Sequence, residues 1–448
     1  MRLFFFTLDE INSKVMNKLF LKLLLVLSIG LHQQNSFAQK LSRIEKKILK
    51  SVEANNQDAI DFLIKVVNIN SGTMNHPGVK EVGMAFKAEF DKIDFESTWY
   101  DMSEVDRSGH LFSETKGKKG KRLLLIGHLD TVFEADSPFQ EFKMVNDSIA
   151  HAPGGNDMKG GNVIILYALK ALHENGLLKN AQIIAAYTGD EEATGKPLTI
   201  SRRDLINAAK RSDIALGFET STGFNYATVA RRGSSDWKVE TTGVRAHSSG
   251  VFNERIGAGA IFEMSRILHR FYEEVRGEEY LTFNPGIVLG GTQMDYQQAL
   301  SKGNVFGKSN VVSQTAVVYG GLRFISEEQK ERARAKMREI VNDNLPQTSA
   351  KVTFIDSYPA MQPTEGNKNL LQILNQVSID LNQGEVMAYD PGRRGAADVS
   401  FVAEYVDCLD GLGTMGRGAH TPEETVNLNT IEALTKRTAV LIYRLIND

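Results

Sequence analysis

Two periodicities alternate along the chain, and their order gives the first view of its architecture. Apolar residues at Ile44, Ile48, Leu49, Val52, Ile60 and Leu63 recur at helical spacing and predict a helix over residues 41–63. Asn70-Ser71-Gly72 interrupts it, and a second amphipathic helix is expected at 78–90. Residues 122–127 (RLLLIG) and 182–187 (QIIAAY) are continuous apolar runs, the pattern of strands covered on both faces. Between them 161–175 reads as a helix, closed by Gly176. Strand, helix, strand implies an α/β unit with a mostly parallel sheet. From Asp236 the texture changes. Residues 237–241 alternate like a half-buried antiparallel strand. A helix at 258–276, strands at 286–289 and 316–324, a charged helix at 327–342 and a strand at 351–355 follow. After Tyr358-Pro359 the α/β texture returns, with a helix at 369–381, a strand-like stretch at 407–415 and a terminal helix at 430–446. The expected organisation is a discontinuous α/β domain, 39–235 and 357–448, interrupted by an α+β domain at 236–356.

Ahead of this framework, residues 16–38 (MNKLFLKLLLVLSIGLHQQNSFA) read as an export signal. Lys18 and Lys22 precede the apolar run 23–31, and Ser36-Phe37-Ala38 offers a cleavage point. The run falls short of the ~20 residues that span a bilayer. Residues 1–38 are therefore expected to be a signal peptide with Met16 as its start. The mature protein is expected to be periplasmic or secreted, with no membrane span.

Composition narrows the chemistry. Among 448 residues, 52 Lys and Arg face 55 Asp and Glu, and a formal charge of −3 gives no reason to expect a nucleic-acid partner. The single cysteine, Cys408, excludes an intramolecular disulfide and an all-thiolate zinc site. Reactive groups must therefore be oxygens and imidazoles.

Five segments combine such groups with glycine or a strand end. In Gly127-His128-Leu129-Asp130, directly after an apolar run, the His and Asp are two apart and point the same way in extended chain. Asp130 is thus placed to accept from the ring N–H that a metal would leave free. Gly154-Gly155-Asn156-Asp157-Met158-Lys159-Gly160-Gly161 puts an acid in a glycine-rich turn that opens a helix. It lacks phosphate-loop spacing and suits a cation better than an anion. Thr188-Gly189-Asp190-Glu191-Glu192 ends the second apolar run, where neighbouring acids can face opposite sides. Gly217-Phe218-Glu219-Thr220 and Gly416-Arg417-Gly418-Ala419-His420 supply one more acid and one more imidazole. Together they have the composition of a two-zinc hydrolase site.

GHLDTV, GGNDMKGG, TGDEE and GLGTMGRGAHTPEE, in this order from about residue 45 to the end, resemble the co-catalytic zinc exopeptidase family. That family contains glutamate carboxypeptidase, aminoacylase and succinyl-diaminopimelate desuccinylase, and the resemblance is nearest the first. It implies a mostly parallel-sheet zinc-hydrolase catalytic domain with an inserted α+β lid or dimerisation domain, two zinc ions per chain, and a homodimer formed through the lid. It implies that Asp157 bridges both ions, that His128 and Glu219 complete one site, and that Glu192 and His420 complete the other. Asp130 would orient His128, and Glu191 would be the general base. A cis peptide is implied at Asp157–Met158. On the lid, His247 matches a histidine that stabilises the oxyanion, and Asn310 and Arg323 match positions associated with a substrate carboxylate.

The expected activity is hydrolysis of an amide bond to a carboxy-terminal amino acid, with glutamate among the candidates, in a small peptide. N-acyl-amino-acid deacylation on the same site is the alternative. A catalytically dead binding protein is a third reading, disfavoured because Glu191 and all five ligands are present. The loop 390–398 departs from the family pattern, carrying Arg393 and Arg394 where glycine and serine are usual. Either it adds affinity for acidic substrates or it pairs with surface acids.

Overall fold

The two apolar runs become neighbouring strands at the centre of a six-stranded sheet. A computed structural model describes residues 41–297 and 301–447. The first sheet contains β1 (Glu96–Asp101), β2 (Gly109–Glu114), β3 (Lys119–His128), β4 (Ala181–Thr188), β5 (Ile214–Gly217) and a last strand, Asp407–Leu409. Their order is β1-β2-β4-β3-β5 and then Asp407–Leu409. From β4 to the last strand all pairs are parallel, whereas β1 and β2 form an antiparallel hairpin at the β4 edge. The fold is thus α/β with a mostly parallel sheet. Leu123–Ile126 in β3 and Ile183–Tyr187 in β4 are all buried, as runs covered by helices on both faces must be.

The expected single helix over 41–63 is two, α1 (Arg43–Ala54) and α2 (Asn56–Val67). They meet at Asn55, whose side chain bonds the Ser51 carbonyl and the Glu174 carboxylate. The apolar spacing carries through this break because both helices pack on the same core. His76–Asp91 forms α3, and Gly160–Glu174 forms α4. Twelve of the α4 residues are buried, because the helix lies between the sheet and the other helices. The stretch 407–415 joins this sheet only at Asp407–Leu409; Asp410 then bridges to Thr228, and the chain turns into the loops above the sheet.

Residues 233–356 build a second sheet of β6 (Gly233–Gly243), β7 (Thr282–Gly291), β8 (Thr315–Phe324) and β9 (Thr348–Asp356). It is antiparallel throughout, in the order β7-β8-β6-β9. Helices α5 (Ala260–Glu274) and α6 (Glu327–Asn342) connect its strands, a split βαβ arrangement. It has a core of its own around Trp237, Phe271, Phe324 and Met337. The export signal at 1–38 lies outside the described residues, and no described helix is long and apolar enough to cross a membrane.

Cys408 sits in the last strand with no exposed surface. Burial, together with the Asp410 and Asp407 charges, pushes its thiol well above the usual range. Native protein should therefore release no thiol signal with an aromatic disulfide reagent, and one per chain after denaturation. Fast labelling of the native state would contradict this placement.

Candidate metal centre

The parallel strands point their carboxyl ends at one cleft, the usual ligand position in an α/β sheet where strand order reverses. His128 is the last residue of β3. Gly127 before it allows close approach of α4, because a Cβ there would stand 1.9 Å from Asn162 Oδ1. Asn162 in turn donates to the His128 carbonyl at 2.6 Å. The buried His128 ring has the Asp130 carbonyl 3.0 Å from Nδ1, and the Asp130 carboxylate at 3.5 Å. These acceptors assign the ring proton to Nδ1 and leave Nε2 free to act as a ligand.

Nε2 of His128 lies 3.2 Å from Asp157 Oδ1 and 3.6 Å from Glu219 Oε1. On the other side, Asp157 Oδ2 and Glu192 Oε2 each lie 3.2 Å from His420 Nε2. Two groups result, His128–Asp157–Glu219 and Asp157–Glu192–His420. Within each, the potential ligand atoms are no more than 4.8 Å apart. Asp157 belongs to both and turns one oxygen toward each histidine. The peptide bond after it is cis.

Asp130 has a second task that its sequence position does not reveal. Its buried carboxylate accepts the N–H groups of Glu191 and Glu192, both at 3.0 Å, and the Thr73 hydroxyl at 2.7 Å. The nearer acceptor for the His128 ring is therefore the Asp130 carbonyl, while its carboxylate fixes the acidic turn. Asp190 does not join its neighbours in the cleft. It is buried and paired with Arg202, whose Nε also meets Asp398 at 2.9 Å. Glu191 has its carbonyl held by the Tyr358 hydroxyl at 2.6 Å.

Glu424 closes the last motif, four residues after His420. It is fully buried and accepts from the N–H of Gly154, Asn156 and Asp157 at 3.2, 2.9 and 3.0 Å. It therefore anchors the turn that presents Asp157. Its 270-residue separation from Gly154 hides this role from any reading of local spacing.

The cluster is electrostatically crowded. Burial and the Asp157 charge push Glu219 up to about 7. Burial and the Glu219 charge hold Glu191 well above the usual carboxylate range. Burial opposes charge on His128, but hydrogen bonds to Asp130 and Asp157 keep its ring well above the ordinary imidazole value. The carboxylates of Asp157 and Glu192 raise His420 to about 11. Acids that must take up protons when crowded, arranged around two imidazoles, fit bound cations by charge and by donor type.

The insert residues are placed differently. Ser248 N–H donates to the Asn310 carbonyl at 2.9 Å, and His247 bridges to Val311, which brings His247 and Asn310 together beyond the end of β6. His247 is exposed, and its ring is bonded only to Ser249 among the described residues. Arg323 pairs with Ser234 and Thr282 at the opposite end of the insert sheet. Eight residues of β8 separate Arg323 from Thr315, roughly 27 Å of strand. Within one chain, Arg323 and Asn310 therefore stand toward opposite ends of the insert sheet. Their separation follows from β8 running the length of the sheet between them.

An α/β sheet with imidazoles and carboxylates gathered at its strand ends is the framework of a metallohydrolase. Residues 124–444 match the model of Peptidase family M20/M25/M40, and the chain belongs to this family of metallopeptidases. It is 28% identical over 381 residues to carboxypeptidase G2 of Pseudomonas sp. (strain RS-16), covering 83% of this chain and 85% of that one. Succinyl-diaminopimelate desuccinylase of Paracoccus denitrificans is 24% identical over 359 residues, covering 75% and 87%. Among solved structures, YXEP of Bacillus subtilis, a dinuclear metal-binding peptidase of the M20 family, superposes with a TM-score of 0.62 at 13% identity. That match covers 88% of this chain and 99% of the other, and shows a shared fold.

Replacing Glu424 with Ala should strip three buried N–H groups of their acceptor, costing about 3 kcal/mol of folding stability. It should also lower metal affinity about 10–100-fold, although Glu424 is not among the grouped ligands. Denaturant melts and competition with a chromophoric chelator measure the two effects. Unchanged metal affinity would remove Glu424 from the support of Asp157.

Proposed function

We propose that the protein is a zinc-dependent metallocarboxypeptidase that hydrolyses the amide bond to a carboxy-terminal amino acid, with glutamate among the candidates. The observation that carries this reading is Asp157, shared between two groups of imidazole and carboxylate donors. In this reading His128, Asp157 and Glu219 hold one zinc, and Asp157, Glu192 and His420 hold the other. Imidazole nitrogen and carboxylate oxygen are ordinary zinc donors, and no thiolate is needed. The bound pair supplies Lewis acidity, polarising a carbonyl and making water nucleophilic near neutral pH.

The remaining tasks fall to the chain. Glu191 takes the proton of the attacking water on its carboxylate and returns it to the leaving nitrogen. A raised pKa suits that exchange, because the group must both accept and release a proton near neutrality. Asp130 and Tyr358 hold its backbone from two sides. His247 donates to the charge developing on the carbonyl oxygen, and Asn310 helps seat the substrate. Both require approach of the insert, either by closure within one chain or from a second copy in a homodimer. In this reading the export-signal pattern of 16–38 supports activity outside the cytoplasm.

Similarity to carboxypeptidase G2 favours the peptidase reading. Similarity to a desuccinylase keeps N-acyl-amino-acid deacylation as the second reading, which differs only in what lies beyond the scissile bond. A panel of dipeptides and N-acyl amino acids separates the two by relative kcat/KM. Glu191→Ala should abolish turnover, by at least about 100-fold, with metal content unchanged at about two ions per chain. Chelation should remove activity, and zinc should restore it. Full activity in Glu191→Ala, or about one ion per chain at full activity, would sink this mechanism.

A further inference from the structure

The two arginines in the loop 390–398 have different surroundings. Arg393 is exposed and lies over the Tyr389 ring, 5.5 Å from its centroid. Arg394 turns inward and donates from Nη2 to the carbonyl of Thr220 at 3.0 Å, the residue that follows Glu219. Its Nε is buried with no hydrogen-bond partner, and it makes no ion pair among the described residues. Two more arginines fasten the loop around it. Arg231 Nη1 donates to the Gly395 carbonyl at 2.9 Å, and Arg232 Nη2 donates to the Gly392 carbonyl at 3.0 Å.

The local charges do not balance. Asp410, the buried acid of this corner, is taken by Arg231. The other acids whose charge reaches Arg394 are Glu219 and Asp157, which face His128 and the metal cluster. Burial and the neighbouring Arg231 hold Arg394 down at about 10, low for a guanidinium. A half-buried cation with a buried donor unused is stabilised by an anion brought in from outside. A planar guanidinium meets a carboxylate in bidentate fashion.

We propose that Arg394 binds a carboxylate of the substrate beside the metal centre and makes this enzyme selective for acidic amides. The assignment rests on the carboxypeptidase reading above, and it adds a carboxylate contact on the catalytic side of the cleft, where Arg394 bonds the residue after Glu219. The carboxylate comes either from the terminal α-carboxyl group or from an acidic side chain.

Three substrates separate these sources: an N-acyl-glutamate, its α-amide, and the N-acyl-glutamine. The zinc-loaded wild-type protein is expected to prefer the diacid over one of the two amides by at least about 100-fold in kcat/KM, mainly through KM. Arg394→Ala should erase that one preference while keeping the metal content, and Arg394→Lys should restore part of it. Loss of the α-amide preference identifies the terminal carboxylate as the ligand, and loss of the glutamine preference identifies the side chain. Equal losses on all three substrates, or a wild-type enzyme indifferent to both amides, would overturn the proposal. Calorimetric binding of the N-acyl-glutamate to the Glu191→Ala protein tests the contact without turnover, with affinity expected to fall about tenfold or more when Arg394→Ala is added. If no substrate is hydrolysed, the carboxypeptidase reading fails, and the binding result still decides for or against Arg394.

Discussion

Crowding of like charge in a poorly hydrated cleft is the constraint around which this molecule is arranged. Asp157, Glu191, Glu192 and Glu219 converge at the strand ends, where neighbouring carboxylates repel by about 4 kcal/mol per pair at 4 Å and an effective dielectric near 20. Several of these acids are restrained from outside the cluster. Glu424 holds the turn of Asp157 by three N–H groups. Asp130 holds the backbone of Glu191 and Glu192. Arg202 draws Asp190 out of the cleft altogether and ties it to Asp398. A cation pair held by these imidazoles and carboxylates would relieve the remaining repulsion, so the same crowding fits the cluster to bind metal.

The sheet explains why these groups meet. Parallel strands end on one side, so β3, β4 and β5 deliver His128, the acidic turn and Glu219 to neighbouring positions although 91 residues separate the first from the last. The insert follows another logic. Its antiparallel sheet places His247 and Asn310 at one end and Arg323 at the other, at the junction where Arg232 also reaches Thr282. The two ends of one antiparallel sheet therefore hold these side chains far apart within one chain.

Much of the cluster is legible in the chain because its signals are local. An apolar run followed by His-Leu-Asp, and another followed by Gly-Asp-Glu-Glu, place ligands at strand ends by short-range geometry alone. The helix at 161–175 and the terminal helix are equally plain, since α4 and α7 (Ile431–Asn447) follow their apolar spacing to within a residue or two. The split at Asn55 is not legible, because the periodic face continues across it. Neither is the hairpin of β1 and β2, whose strands mix polar and apolar residues at a sheet edge.

The sequence by itself determined the class of fold, the donor types and the strand ends that carry them, because periodicity and turn chemistry act over a few residues. The supporting network was decided by tertiary structure alone. Glu424 under Asp157, Arg202 between Asp190 and Asp398, and Arg231 on Asp410 join groups 12 to 270 residues apart. Such pairs form because burial leaves a charged group no water to turn to, and the partner is whichever group the packed chain brings within reach. The two arginines of the loop 390–398 make the point most sharply. They are adjacent in the chain, yet one rests on a surface ring and the other turns inward to the carbonyl of Thr220.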